Sequence, residues 1–270
     1  MNETTSRRDE QKPGPGTYPD AVLKATEGLV ETISKHPEDA LLELENFDLL
    51  MMRYDSAIRE VRTKLEILND ELYLTRDYSP ISSIISRRKK PMSIYQKLLK
   101  QENEISLASI EENLNDVAGV RVICPFIDDI YKVAKMLVQQ DDITLIRVKD
   151  YIRNPKSNGY RSYHMIVQVP VFFSSEKKPM RVEVQIRTVA MDFWASLEHK
   201  MKYKKGLSEE VIQAITDDLA ECAATISGTD MRMMGIRDRI NELEKYNEIT
   251  KKQQAYNERP DNVQTLQAFN

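Results

Sequence analysis

Two cysteines, Cys124 and Cys222, are all that the chain contains, and they stand far apart in sequence. That is too few for a disulfide scaffold or a thiolate zinc site, and a reduced, cytosolic protein is the economical reading. Histidine is nearly as scarce: His36, His164 and His199 are the three. None begins a His-Asp pair, and the neighbours Glu198 and His199 face different ways on a helix, so no zincin motif is present. Glycine numbers 8 in 270 residues, with no P-loop and no Gly-x-Gly-x-x-Gly run. Bound phosphate must then be held by side-chain cations. Residues 1–19 are polar, without the apolar run that a secretory signal or a membrane span needs. An excess of one charge is missing as well: 39 basic against 43 acidic residues leave a net charge of -4, which argues against a nucleic-acid-coating surface.

What the chain does have is a concentrated basic loop. Residues 147–164 read Arg-Val-Lys-Asp-Tyr-Ile-Arg-Asn-Pro-Lys-Ser-Asn-Gly-Tyr-Arg-Ser-Tyr-His. Five cations alternate there with Tyr151, Tyr160 and Tyr163, broken by the turn pairs Asn154-Pro155 and Asn158-Gly159. A solvated basic loop between strands is the ordinary reading of a charge run. The interleaved aromatics and the terminal His164 favour a site that presents cations to phosphate and a ring to a flat base. A second basic cluster, Arg87-Arg88-Lys89-Lys90, lies upstream.

Apolar content of 41% suffices for one good core. The pattern predicts a polar, disordered tail over 1–19 and a short helix over 20–35. A long helix over 37–76 follows from Leu41, Leu44, Phe47, Leu50, Tyr54, Ile58, Val61 and Leu65 at helical spacing. Strands are predicted at 81–90, 118–124, 144–149, 164–169 and 180–187. Helices are predicted at 91–100, 107–115, 128–140 and 188–204, then two more at 208–227 and 230–258. Four or five strands among helices make an α/β or α+β domain. No internal repeat is evident. The domain plan is a tail (1–19), a mixed domain with its leading helices (20–206), a helical arm (207–258) and a flexible end (259–270). Val211, Ile215, Leu219, Met234, Ile236, Ile240 and Leu243 give that arm more apolar surface than a terminal helix pair can hide, so it packs back on the domain or joins subunits.

Two carboxylates stand out. Asp116 opens a buried strand, and Glu183 alternates with Gln185 and Arg187 on one face of another. If the two strands are neighbours, Asp116 and Glu183 converge on one divalent metal. Singly, each is an ordinary strand-edge residue. Trp194 and Met191 lie on the apolar stripe of their helix and read as core, while Asp192, Glu198, His199 and Lys200 lie off it or at its margin.

Taken together, Asp-x-x-Gly-x-Arg (116–121), Lys-Asp-Tyr-Ile-x-x-Pro-Lys-x-Asn-Gly-Tyr-Arg-Ser-x-His (149–164), Glu-x-Gln-Ile-Arg-Thr (183–188) and Ala-Met-Asp-Phe-Trp-Ala-Ser-Leu-Glu-His-Lys (190–200) resemble the synthetase domain of the RelA/SpoT family of alarmone enzymes. The likeness covers roughly residues 40–230, and the layout is similar to the small, single-domain synthetases of the RelQ/RelP type. It implies an α+β fold with a mixed sheet of about five strands, nucleotidyltransferase-like, between helical arms. It implies transfer of the β,γ-pyrophosphate of ATP to the ribose 3′-hydroxyl of GDP or GTP, yielding (p)ppGpp in the stringent response. Without a His-Asp pair no hydrolase activity is expected, and the length leaves no room for the long enzymes' regulatory region.

By the same resemblance Asp116 holds Mg²⁺, and Glu183 completes the metal site or takes the hydroxyl proton. Arg88, Lys90, Ser93 and Lys97 hold ATP phosphates, with Arg88 and Arg121 stacking the adenine. Tyr160 stacks the guanine; Lys156, Asn158, Arg161 and His164 hold the acceptor's phosphates and ribose, with Gln185 and Asp192 as further acceptor contacts. The segment 147–150 is of the family's basic version, which implies a single metal with Lys149 in place of a second ion. A cytoplasmic homotetramer formed through the C-terminal helices is implied, with an allosteric alarmone or single-stranded RNA among its partners and no membrane. Two other readings remain: a toxin-type relative that modifies adenine nucleotides or tRNA 3′ ends, and a binding module with a dead site. The acidic balance disfavours the first, and the presence of both carboxylates disfavours the second.

Overall fold

A computed structural model describes residues 37–201 and 208–257. The tail over 1–19, the short helix expected over 20–35 and the end over 259–270 lie outside the described residues. The chain divides into two compact units at Met51 and Met52. The described part of the first is the opening of helix α1 (Pro37–Arg76), and the second carries everything that follows. In the second unit α1 buries Tyr54, Ala57, Ile58, Val61 and Leu65, spaced three and four apart as a single helical face requires.

The remaining elements are β1 (Ser83–Arg88), α2 (Pro91–Lys100), α3 (Leu107–Asn113), β2 (Ala118–Cys124), α4 (Ile127–Val138), β3 (Thr144–Asp150), β4 (Tyr163–Phe172), β5 (Lys177–Thr188), α5 (Val189–Met201) and α6 (Glu209–Asn257). Pro91 occupies the first turn of α2, where its missing N–H costs nothing, and the amides of Ser93 and Ile94 bond the Lys90 carbonyl. Ser106 caps α3 by accepting the Ser109 amide at 3.2 Å. Among the described residues no helix is long and apolar enough to cross a membrane.

The five strands form one mixed sheet in the order β1-β2-β5-β4-β3, with β2 and β5 parallel and every other pair antiparallel. Strand alternation separates two faces. Val120, Val122, Met165, Val167, Val182, Val184 and Ile186 fill one, against which α4 turns Ile130, Val133, Ala134 and Leu137. The opposite face carries polar side chains in two rows. Register aligns Ile85, Arg121, Gln185, His164 and Lys149 in one row, and Arg87, Gly119, Glu183, Ile166 and Arg147 in the next. Helix α5 packs over the ends of β2 and β5 on this side and is itself held by α6.

The expected mixed five-stranded sheet is what forms. One element differs: the two C-terminal helices are a single 49-residue helix, α6, running through Gly228. A Cβ at Gly228 would meet nothing within 4 Å, so the glycine lies on open helix surface and interrupts nothing. Its penalty of about 1 kcal/mol relative to Ala is easily absorbed by a helix this long.

Candidate active site

The polar rows of the sheet and the inner side of α5 enclose a cleft of about 570 Å³, lined by Arg87, Asp116, Arg121, Tyr160, Glu183, Gln185 and Arg187, among others. The condition set by the sequence is met: β2 and β5 are neighbours, and Gly119 stands opposite Glu183. On its other side Gly119 lets β1 lie close against β2, since a Cβ there would come within 3.3 Å of the Arg87 carbonyl oxygen. Asp116, just ahead of β2, and Glu183, on β5, thus open onto the same space.

Their surroundings differ. Lys89 Nζ donates to Asp116 Oδ2 at 2.8 Å, and Lys97 Nζ stands 2.8 Å from Oδ1. Burial alone would raise the Asp116 pKa, but the two lysines outweigh it and hold the carboxyl below its ordinary value. Burial also pushes Glu183 up. A contact from His164 Nδ1 at 3.3 Å and a hydrogen bond from Gln185 Nε2 at 2.9 Å outweigh it, although the negative charge of Asp116 works against them. Both carboxylates are therefore ionised at neutral pH.

A chain of hydrogen bonds runs on from Glu183. His164 Nε2 lies 2.8 Å from the Tyr160 hydroxyl, and Arg187 Nη2 donates to that hydroxyl at 2.7 Å. Arginine cannot accept, so the Tyr160 hydroxyl is the acceptor of the Arg187 bond, and its second bond joins it to His164 Nε2. Arg187 also donates to Gln185, Ser162 and Asp192, and the same Asp192 oxygen meets Arg121 at 3.3 Å. Burial, reinforced by the nearby Arg187, lowers the Arg121 pKa, and Asp192 counters it.

The expected site residues divide. Asp116, Arg121, Tyr160, Glu183 and Gln185 line the cleft, with His164 and Asp192 one contact away. Lys97 reaches it through Asp116, and Ser93 stands one turn before Lys97 on α2. Lys156 lies over the Tyr160 ring, 4.7 Å from its centroid, and Lys149 faces His164 from the edge strand.

Four residues are placed differently. Arg88 turns to the opposite face, where it pairs with Asp55 at 2.9 Å, and Lys90 is exposed at the start of α2. The cleft side belongs instead to Arg87 and Lys89, one residue earlier in each case, because Arg87 pairs with Gly119. Asn158 is buried within the loop, donating to Glu198 at 2.9 Å and accepting the Tyr160 amide at 3.2 Å. Arg161 points beneath the loop, donating to the Ile152 carbonyl at 2.9 Å and bordering a small void with Trp194 and Asp230. Both brace the loop instead of facing the cleft.

Sequence reasoning also passed over Arg187, Ser196, Glu198, His199 and Lys200 as lining groups. Arg187 was visible by alternation with Glu183 and Gln185. Trp194 and Met191 are core, as their stripe implied: each is 5% exposed, and the indole N–H bonds the Leu219 carbonyl at 3.0 Å.

For a divalent cation the donor set fits. Asp116 and Glu183 are hard oxygen ligands, near enough that the Asp116 charge raises the Glu183 pKa, and Asp116 Oδ1 is buried with an ion-pair partner but no hydrogen-bond donor in line. Mg²⁺ is commonly held by one or two carboxylates together with substrate phosphates.

Comparison with known proteins agrees with this geometry. The family described as "Region found in RelA / SpoT proteins" matches residues 86–208. The GTP pyrophosphokinase YwaC of Bacillus subtilis is 40% identical over 206 residues, 76% of this chain and 97% of that protein. YjbM of the same organism, also named a GTP pyrophosphokinase, is 34% identical over 74% of this chain and 92% of its own length. Among solved structures, small alarmone synthetase 1 of B. subtilis bound to its product pppGpp superposes with a TM-score of 0.64 at 33% identity, covering 73% of this chain and 99% of that one. Small alarmone synthetase 2 gives 0.64 at 38%, covering 72% and 99%. Identity at this level, sustained through nearly the whole of each relative and through the strands that build the cleft, is kinship: the chain belongs to the RelA/SpoT family, among its small alarmone synthetases.

Proposed function

We propose that the cleft transfers the β,γ-pyrophosphate of ATP to the ribose 3′-hydroxyl of GDP or GTP, forming ppGpp or pppGpp. The observation that carries this reading is the meeting of Asp116 and Glu183 in one cleft, with Lys89 and Lys97 closed on Asp116 and Arg87 and Arg121 beside them. Such a set positions and neutralises a polyphosphate, which is most of what phosphoryl-type transfer asks of a protein. Relatives support the chemistry: YwaC and YjbM are named GTP pyrophosphokinases, and small alarmone synthetase 1 binds pppGpp and AMPCPP.

In the reaction the 3′-oxygen bonds to the β-phosphorus while the bond from that phosphorus to the oxygen bridging it to the α-phosphate breaks. AMP leaves with the bridging oxygen. Glu183, ionised and held by His164 and Gln185, takes the 3′-hydroxyl proton. Lys89, Lys97 and Arg87 bind the donor phosphates, and Arg121 stacks on the adenine. Tyr160 stacks on the guanine, His164 sets its hydroxyl, and Lys156 and Lys149 attract the acceptor's phosphates. Asp116 and Glu183 would hold Mg²⁺, which when bound neutralises phosphate charge.

The C-terminal arm is the oligomerisation element of a cytoplasmic homotetramer. Ile236, Ile240, Leu243, Tyr246 and Ile249 of α6 are all exposed, a large apolar surface for one chain to leave uncovered.

The test is incubation of the purified protein with labelled ATP, Mg²⁺ and GDP, GTP or deacylated tRNA, beside Asp116→Asn and Glu183→Gln. Label on guanosine nucleotides, absent from both variants, is the expected result. Label on adenine nucleotides or tRNA would move the chain to the toxin branch, and no transfer would leave a binding module.

A further inference from the structure

Arg187 is the most heavily committed cation in the cleft. It is 5% exposed, and its guanidinium makes four hydrogen bonds: Nε to Ser162, Nη1 to Asp192, and Nη2 to both Tyr160 and Gln185. Its Cζ also stands 5.3 Å from the centroid of the Tyr160 ring. A buried arginine needs such partners to offset its desolvation, but a purely structural requirement would be met by any carboxylate and a few carbonyls. Here three of the four partners, Tyr160, Gln185 and Asp192, belong to the cleft wall or touch a residue that does. Asp192 spends one oxygen on two arginines, 3.0 Å from Arg187 and 3.3 Å from Arg121.

Resting on the proposed reaction, we infer that Arg187 is the positioning residue of the acceptor site: it fixes the Tyr160 ring that receives the guanine and, through Asp192, ties that ring to Arg121 on the adenine side. A tyrosine has two side-chain torsions, and packing alone leaves the hydroxyl end free to swing. Two bonds on the hydroxyl, one from Arg187 and one shared with His164, remove that freedom before the base arrives. Lysine cannot substitute. Its ammonium is a compact point charge, whereas the planar fork spans Tyr160, Gln185, Ser162 and Asp192 at once.

The test uses the full-length protein with Arg187→Lys and Asp192→Asn. Steady-state kinetics vary GDP and ATP separately, and GDP is also titrated while the fluorescence of Trp194 is followed. Trp194 is the single tryptophan of the chain, its ring 6.3 Å from that of Tyr160. Arg187→Lys is expected to raise both the KM and the fluorescence-derived Kd for GDP about tenfold, with the KM for ATP changing much less. Asp192→Asn is expected to raise the KM values for both nucleotides. Melting temperatures separate this from simple unfolding: if both variants keep wild-type KM and Kd values and only kcat falls with the folded fraction, Arg187 is structural and the inference is overturned. A wild-type protein that neither labels GDP nor responds to it in fluorescence overturns the proposed function itself, an outcome read without either variant.

Discussion

Lys97 Nζ stands 2.8 Å from Asp116 Oδ1, so a side chain from the last turn of α2 closes on the entry of β2. Together with Lys89 it offsets the charge of the carboxylate. In the proposed reaction the same ammonium serves the donor phosphates. Lys97→Ala should therefore raise the KM for ATP by about tenfold while leaving the KM for GDP within about twofold, since one charge-assisted contact is lost on the donor side alone. Initial rates with each nucleotide varied in turn decide this; equal rises in both KM values would contradict the assignment.

Arg87 and Arg88 make a sharper comparison. They are adjacent, yet the pleat sends Arg87 into the cleft and Arg88 to Asp55 on the other side. Arg87→Ala should lower kcat/KM for ATP by about ten- to a hundredfold. Arg88→Ala breaks a half-exposed ion pair and should cost less than about 1 kcal/mol of stability, with catalysis unchanged. The reverse result would mean that β1 pairs with β2 in the other register.

A pH dependence follows from the clasp between α4 and α6. Arg237 Nη1 lies 2.7 Å from Asp128, and its guanidinium sits 4.4 Å from the centroid of the Phe126 ring. Burial raises the Asp128 pKa, but hydrogen bonds from Arg237 and Lys132 more than reverse it, leaving the group below its ordinary 3.8. A carboxyl depressed by folding stabilises fully above that value and loses its contribution as the pH falls through it. The Tm deficit of Arg237→Met should be largest near neutral pH and should shrink below about pH 4. A deficit that stays constant from pH 7 to pH 3 would show that packing over Phe126, and not the ion pair, is what the arginine supplies.

Gly159 adopts φ of +84°, and a Cβ there would fall 2.4 Å from the Ala223 Cβ on α6. Gly159→Ala meets both a strained backbone and a collision, and should destabilise by about 3 kcal/mol. Denaturant unfolding measures it. Because the loop also carries Tyr160, acceptor binding should weaken before the fold is lost.

Much of this architecture was legible in advance for a simple reason. In β5, apolar Val182, Val184 and Ile186 alternate with Glu183, Gln185 and Arg187, so one face had to be core and the other cleft. Such alternation is missing from Arg87-Arg88-Lys89-Lys90, where four cations in a row give no clue to which face each takes; only pairing with β2 decides it. Arg161 and Asn158 misled because a loop has no period, and their partners, the Ile152 carbonyl and Glu198, are set by the fold of the loop and by α5. Arg187 stood on the correct face, but its importance lies in Tyr160, Ser162 and Asp192, which reach it only through tertiary structure.

The parallel pairing of β2 with β5 also sets a timetable for synthesis on the ribosome. Every other neighbouring strand pair except β2–β5 joins elements consecutive in the order of the strands, whereas β2 must wait while α4, β3 and β4 are made. Asp116 and Glu183 come together only through that late, non-local closure, which is slow for the same reason that long loops are costly to close. In the proposed reaction, a nascent or truncated chain ending before β5 therefore holds only half of its carboxylate pair and transfers no pyrophosphate.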